Sequence, residues 1–486
     1  MAPSHSSDAR RHDTTRLLRI LAAAILVCVL LSLSQYQAVL DRAVDLNSRM
    51  RWTRSNNGTF APPGEAMVPE PDVDIKKGSK GIIMCLHDRI IPLGASLIRE
   101  LRCLGNQEHI EVYHCDELSA DSVALLNTID ANVQVINICA SLVENGVMSS
   151  EMALTFRSYW IKPMALHQTR FEEVILLDAD DILLKDPAKL RSIDGYKANG
   201  TVFFYDRVIA EDKYFLRWVT PSVGAEDVHY LHYWLQTFDY ARFGLEYGPS
   251  DHVKQSFAYQ NRTCHEQDSS MVLVDKKRAG KAMSVLWFIM TEHRFNAYFS
   301  HGDKEAFWLA YELAHAPYFF SPWGASVVSA TAHKDVQRYE GTLCGSLCHF
   351  MPVEVSQSEL LYINGRALID PTPFDVNDPN QYRTTHVFNT LPTHMTPRQE
   401  RQDAKPKDGE GTYAGECNIG LGKTPVPRNL RNFLWRRRQH FMAITMGMLE
   451  PLYSCDMGSK TAMPEMTTSK PKPKPKTSPA PRRRIE

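Results

Sequence analysis

Asp178, Asp180, Asp181 and Asp186 crowd together directly behind an apolar run, Val174-Ile175-Leu176-Leu177. Carboxylates packed this closely repel one another unless a cation or a basic group neutralises them. Hard oxygen donors favour Mg²⁺ or Mn²⁺, usually shared with phosphate oxygens. A metal held there offsets the negative charge that develops on a departing diphosphate. The Asp-x-Asp pattern alone is a weak signal. Asp72-Val73-Asp74 repeats it in a polar stretch with no apolar strand before it, and reads as solvated charge. The copy at 178–180 differs because Val174 to Leu177 reads as a buried strand that delivers the carboxylates to a sheet edge. An acidic turn in which Asp186-Pro187 starts the next helix is the alternative.

Other reactive side chains stand at the ends of predicted elements. His87 and Asp88 follow the first apolar run, Gly81 to Leu86, where they could contact a base or ribose. Lys162 lies in a helical pattern leading towards the Asp-tipped strand, where its ammonium could meet a diphosphate; a solvated lysine on a helix face is equally open. Asp303 precedes Phe307, Trp308 and Tyr311, so it could cap their helix, and Lys304 beside it could contact phosphate. Cys344, Cys348 and His349 lack a convincing fourth ligand for zinc.

The elements that must position these groups alternate strand and helix. Strands are predicted at 81–86, 110–113, 133–136 and 174–177. A helical pattern runs through Leu97, Ile98, Leu101 and Leu104 to Gly105, and a long one from Glu151 to about Arg170. Short apolar strands separated by helices imply an α/β fold, a mostly parallel sheet with helices on both faces. Such sheets bind ligands beyond the carboxyl ends of their strands, which is where the acidic cluster falls.

The chain has 486 residues, 43% hydrophobic and 23% charged, an ordinary globular composition. Its formal net charge of -1 conceals a tail from Met457 to Glu486 with eight Lys/Arg against two Glu. Basic character is confined to that tail, so nothing points to a nucleic-acid partner. Ile20 to Leu33 is uniformly apolar and preceded by Arg10, Arg11, Arg16 and Arg19. This reads as a signal anchor whose positive flank keeps the N-terminus cytoplasmic, although a cleavable signal peptide is the other reading. The expected organisation is a cytoplasmic segment at 1–16, an anchor at 17–34, a lumenal stem at 35–78, a catalytic domain at 79–455 and a disordered Pro/Lys-rich tail at 456–486. Asn57, Asn199 and Asn261 are glycosylation sequons that this topology would expose to modification. It also places nine of the ten cysteines where disulfides persist. Cys344, Cys348, Cys417 and Cys455 are the expected bridged residues, while Cys85 and Cys139 read as core.

Phe171-Glu172-Glu173-Val174-Ile175-Leu176-Leu177-Asp178-Ala179-Asp180, with Leu184-Lys185-Asp186-Pro187 behind it, resembles the core of the fungal Golgi α-1,3-mannosyltransferases, glycosyltransferase family 71. Lys162-Pro163-Met164-Ala165-Leu166 is similar to the family's Lys-containing segment. Asp268-Ser269-Ser270-Met271-Val272-Leu273-Val274-Asp275-Lys276 resembles its acidic-Ser-Gly-Gln block, with Ser270 and Met271 in place of Gly and Gln. Gly302-Asp303-Lys304-Glu305-Ala306-Phe307 and Cys344 to Phe350 match two later blocks, so the likeness covers roughly residues 80 to 365.

The resemblance implies a GT-A fold, GDP-mannose as donor, Mn²⁺, retention of anomeric configuration and a glycan or glycoprotein acceptor in the Golgi lumen. An oligomer or a complex with other transferases is compatible with that setting. It assigns Asp180 to the metal, Asp178 to the metal or ribose, and His349 as a third protein ligand, with a hydrogen-bonded core histidine as the alternative. Asp268 and Glu266 become the acidic groups near the sugar, able to stabilise an oxocarbenium-like state, and Asp303 a group for sugar hydroxyls. Ser270 and Met271 fall where sugar contacts are expected, which bears on the hexose more than on the reaction. Two other classes compete. A phosphatase of the haloacid-dehalogenase type would use Asp178 as nucleophile, but Phe307 stands where its later acidic motif needs Asp. A lectin-like protein on the same fold would bind glycans without turnover.

Overall fold

The computed structural model describes residues 79–329, 334–354, 359–370, 391–403, 417–448 and Cys455. The expected anchor, stem and basic tail lie outside these residues. Among the described residues no helix is long and apolar enough to cross a membrane. One unit comprises Ala66–Met290 and Phe299–Glu486 and contains both sheets; the other joins Met1–Glu65 to Thr291–Tyr298, where a single 3-10 turn, His293–Phe295, is described.

In chain order the first strands are β1 (Lys80–Cys85), β2 (His109–His114), β3 (Val133–Asn137), β4 (Glu173–Leu177), β5 (Asp181–Leu183) and β6 (Thr201–Tyr205). A small hairpin of β7 (Trp218–Val219) and β8 (Val228–His229) precedes β9 (Gln267–Asp275) and β10 (Ser326–Ser329). The remainder are β11 (Leu343–Phe350), β12 (Leu360–Asn364), β13 (His394–Met395), β14 (Cys417–Asn418) and β15 (Thr424–Pro425).

One sheet has the order β3-β2-β1-β4-β9-β6. Its β1 to β4 half is parallel, as the alternating strand and helix patterns predict. Val174, Ile175, Leu176 and Leu177 are at most 1% exposed. Each such side chain contributes about 1.5–3 kcal/mol by leaving water, which fixes β4 at the centre of the sheet. The antiparallel strand β9 then inserts between β4 and β6, making the sheet mixed. A second sheet, β15-β13-β10-β11-β12-β5 with β14 on β11, is antiparallel throughout and was not expected. Apart from β11 its strands have five residues or fewer, and β5, β13 and β14 find partners in distant parts of the chain. β5, only three residues long, pairs Ile182 with Ile363.

The continuous helix expected from Glu151 to Arg170 is broken into Ser150–Leu154, a 3-10 turn at Ser158–Trp160, and Ile161–Gln168. Pro163 explains the break. Inside a continuous helix it would remove a hydrogen bond and clash with the preceding turn, whereas here it occupies a first turn. Ser158, at φ 69°, reverses the chain direction just before it.

The disulfides are Cys103–Cys455, Cys115–Cys139 and Cys344–Cys417. Cys344, Cys417 and Cys455 are bridged as expected, and Cys85 is unbridged. Two expectations are corrected: Cys348 is a buried free thiol on β11, and Cys139 is bridged. Cys139 sits in a strand-to-helix corner at the N-terminus of Ile138–Glu144, close enough to the end of β2 for Cys115 to reach it.

Candidate active site

The acidic turn is the place where the chain passes from one sheet to the other. β4 ends at Leu177 in the mixed sheet, and β5 begins at Asp181 in the antiparallel one. Asp178 N–H donates to Ser270 O at 2.8 Å, continuing the β4–β9 ladder for one more residue. Gly365 N–H then donates to Asp180 O at 3.2 Å, next to the β5–β12 pairing. Both flanks are therefore held by backbone hydrogen bonds.

Lys162 is buried and reaches this turn from the helix Ile161–Gln168, excluding the solvated-lysine alternative. Its Nζ lies 2.8 Å from Asp178 Oδ1 and 3.2 Å from Asp303 Oδ2, and donates to Ser269 O at 3.1 Å. Burial opposes its charge, but Asp178 and Asp303 outweigh that and raise its pKa above the ordinary lysine range. Burial, opposed by Lys162 and reinforced by Asp180 and Asp303, pushes the Asp178 carboxyl up to about 7. Asp303 is raised by burial too, with Lys162 opposing. Its carboxylate pairs with Lys162 instead of capping a helix, correcting the capping expectation. The helix Ala306–Leu313 begins after Glu305 with no side-chain cap, and only the Asp303 carbonyl accepts from Ala306 N–H. Gly302, at φ 68°, makes the turn before Asp303; a Cβ there would lie 2.7 Å from the Tyr159 ring.

Asp180 is held from β12 and the residues after it. Asn364 Nδ2 donates to its Oδ1 at 3.1 Å, and Arg366 N–H to its Oδ2 at 3.2 Å. The same amide of Asn364 donates to Asp181 Oδ1 at 3.2 Å, while Asp181 Oδ2 is buried without a hydrogen-bond partner among the described residues. Burial drives the Asp181 carboxyl well above the usual carboxylate range.

A second group gathers at the start of β9. His349 Nε2 lies 2.8 Å from Asp268 Oδ2, and Ser270 donates to both Asp268 oxygens, from its amide at 3.1 Å and its hydroxyl at 3.0 Å. Tyr362 stacks on the His349 ring and its Oη lies 3.1 Å from Ser270 Oγ. Burial opposes ionisation of Asp268, yet the hydrogen bond and charge of His349 hold its carboxyl below the usual range. In this arrangement His349 is a buried, hydrogen-bonded histidine beside Asp268, itself 4% exposed. Lys304 forms a neighbouring ion pair with Asp206, 2.5 Å apart, which keeps Asp206 ionised against its burial.

Glu266 and Asp88 are engaged elsewhere. Glu266 pairs with Arg401 at 2.5 Å and accepts from Ala258 N–H at 3.0 Å. Asp88 accepts from Ser119 N–H at 2.9 Å and Ser122 Oγ at 2.8 Å, at the start of the helix Ala120–Ile129. His87 is half-buried, its pKa lowered by burial and then by Arg366 and Arg89. Ser270 and Met271 are both buried, and Met271 packs in the apolar core on β9 opposite Leu177, so it is not a sugar contact.

Sequence reasoning assigned no role to Asp206, Ser269, Asn364 or Arg366. Asp206 was detectable, because Val202-Phe203-Phe204-Tyr205 delivers it from β6 just as Val174–Leu177 delivers Asp178. Ser269 stood in a block of the family resemblance, and Asn364 and Arg366 carry no local signal.

The arrangement can hold a divalent cation. Asp178 and Asp180 can supply hard oxygens, and Asp181 beside them has a buried carboxylate oxygen without a hydrogen-bond partner among the described residues. Among the described residues no group of three or more His, Cys, Asp or Glu could hold a metal ion. A cation here therefore needs oxygens from a phosphate ligand, the usual arrangement for a small hard cation.

A two-sheet α/β unit with an acidic, lysine-backed turn at a strand end defines a candidate phosphate-and-metal site. The family model described as "Mannosyltransferase putative" matches residues 79–350, and the chain belongs to that family. Among curated proteins, "Probable alpha-1,3-mannosyltransferase MNT4" of Saccharomyces cerevisiae is 25% identical over 297 residues, covering 60% of this chain and 50% of its own. Alpha-1,3-mannosyltransferase MNT2 of the same yeast is 25% identical over 308 residues, covering 60% and 52%. The chain thus spans about half the length of the curated relatives it matches. Among solved structures, the galactosyltransferase LgtC with donor and acceptor sugar analogues overlaps at a TM-score of 0.31 and 12% identity, covering 64% of this chain and 96% of its own. Core-mannan synthase A of Aspergillus fumigatus, in its Mn/GDP form, gives 0.32 and 7%, covering 53% and 75%. At TM-scores this low neither structure informs the site.

Proposed function

We propose that this chain is a Golgi type II membrane enzyme of GT-A type that transfers mannose from GDP-mannose to a glycan acceptor with retention, using Mn²⁺ or Mg²⁺. The observation that carries this reading is the acidic turn at the end of β4 with Lys162 buried against it. Membership of the mannosyltransferase family and the relatives' α-1,3-mannosyltransferase names support the hexose and linkage.

Asp178 and Asp180 would hold the cation, with Asp181 beside them. When bound, it would supply positive charge to the diphosphate leaving group. The chain's own residues do the rest. Lys162 keeps Asp178 and Asp303 from repelling each other and adds a cation next to the turn. Asp303, paired with Lys162, would serve sugar hydroxyls, and Lys304, paired with Asp206, phosphate. Asp268, kept ionised by His349, is the carboxylate available to stabilise oxocarbenium-like charge at the sugar.

The test is transfer by the full chain, solubilised from membranes, on a panel of GDP- and UDP-sugars with Mn²⁺ and an oligomannose acceptor. Mannose transfer from GDP-mannose, abolished by Asp180→Ala with the fold intact, is expected. Activity that persists in the variant would remove the metal assignment, and turnover of a UDP-sugar instead would remove the donor. Glycan binding with no turnover of any donor would favour the lectin-like reading.

A further inference from the structure

The C-terminal helix, Leu430–Thr445, lies beyond the residues that the family model matches, yet it reaches the acidic turn. Arg437 on this helix is 0% exposed. Its Nη2 donates to Ala179 O and to Asp181 O, both at 3.0 Å, the two carbonyls that flank Asp180. Its Nη1 donates to Leu93 O at 3.0 Å and to Ser96 Oγ, near the start of the helix Ile91–Cys103. One planar guanidinium thus ties both sides of Asp180 to a rigid helix. Only arginine carries enough donors in a fixed fork to do this; a lysine ammonium has three donors on a single atom. Burial pulls the guanidinium down to about 10, which leaves it charged at neutral pH.

The neighbouring arginines reinforce the arrangement. Arg436 pairs with Glu100 on the helix Ile91–Cys103, and the Cys103–Cys455 disulfide closes the far end of the same contact. Arg438 Nε donates to Leu368 O at 2.7 Å, in the short helix that begins at Arg366. Arg366 N–H is itself a donor to Asp180 Oδ2. The backbone behind Asp180 and the element in front of it are therefore both braced from one helix.

We propose that Arg437 is a positioning residue that sets the acidic turn for a divalent cation and its phosphate oxygens, which makes the C-terminal helix part of the catalytic unit. The inference rests on the metal-dependent reading above. It is tested on the full chain with Arg437→Lys, Arg437→Met and, as control, Arg431→Met at an exposed site on the same helix. Mn²⁺ binding is followed by the loss of the free-ion electron paramagnetic resonance signal, with and without GDP. Amide exchange is followed in peptides spanning 174–184.

Groups that orient metal ligands typically change metal affinity by about 10–100-fold. Both Arg437 variants are expected to weaken Mn²⁺ binding by about tenfold or more, and to speed exchange in the turn while β1 and β2 stay protected. The half-saturating Mn²⁺ concentration for transfer should rise in parallel, with kcat at saturating Mn²⁺ changing much less. Arg431→Met should match the wild type. A folded Arg437→Lys protein with wild-type Mn²⁺ affinity and turn exchange overturns the inference. So does a Lys variant that cannot fold, since it assigns Arg437 to core stability alone. Wild-type protein that binds no Mn²⁺ overturns the metal reading and this inference with it, an outcome distinct from wild-type binding that the variants leave unaffected.

Discussion

Replacing Lys162 with methionine removes the only ammonium, among the described residues, in contact with both Asp178 and Asp303, while keeping most of the side-chain volume. The lysine side chain is 10% exposed, Asp303 is 1% exposed and Asp178 28% exposed. Taking one partner from a buried ion pair costs about 3–5 kcal/mol, because the remaining charge stays buried and unpaired. Asp303 bears that cost in full, whereas Asp178 can recover part of its solvation. The lower end, about 3 kcal/mol, is therefore expected. Lys162→Met/Asp303→Asn replaces the stranded charge with a neutral amide and should restore about 1–2 kcal/mol of the loss, as expected for relief of one unpaired buried group. Urea unfolding at neutral pH without added metal measures both values, and a transfer assay on the same proteins separates stability from activity. A single variant within about 0.5 kcal/mol of wild type, the range of an ordinary surface change, would refute the claim that Lys162 neutralises a buried carboxylate pair. So would a double variant no more stable than the single one.

Two further outcomes follow from the packing. His167 is packed against Trp287, and burial, with Lys276 second, pulls its pKa down to about 3. Its folded pKa lies below the unfolded value, so the stability it contributes is complete above about pH 6.5 and is lost as pH falls towards 3. Stability should fall by up to ~1.4 kcal/mol per pH unit in that window, and His167→Gln should flatten the slope; an unchanged slope counts against a half-buried neutral histidine. Cys455→Ser should lower stability by about 2–5 kcal/mol, the range for losing a native disulfide. Scanning calorimetry under non-reducing conditions measures it, and an unchanged profile would mean that the bridge does not constrain the C-terminal helix.

Local pattern was enough to locate part of this protein. The apolar run Val174–Leu177 with aspartates behind it required a buried strand ending in a site, because four consecutive apolar residues have no stable place in water. The parallel half of the first sheet followed from the same periodicity, whereas for Lys162 the pattern left a solvated helix face equally open and the structure places it against Asp178. The 151–170 helix failed where a single proline outweighed a helical pattern.

Only the tertiary structure decided what those groups touch. The hydrogen bond between Arg437 and Ala179 spans 258 positions, and that between His349 and Asp268 spans 81. Hydrophobic periodicity encodes which face of an element is buried, but not which distant polar group will meet it there. A buried charge is tolerated only when folding brings its partner. For Asp268 that partner is His349, for Asp303 it is Lys162, and Arg437 is satisfied by the backbone of the acidic turn itself. The aspartates could be read from sequence alone, while the residues that hold them in place became visible only once the second sheet and the C-terminal helix had closed around them.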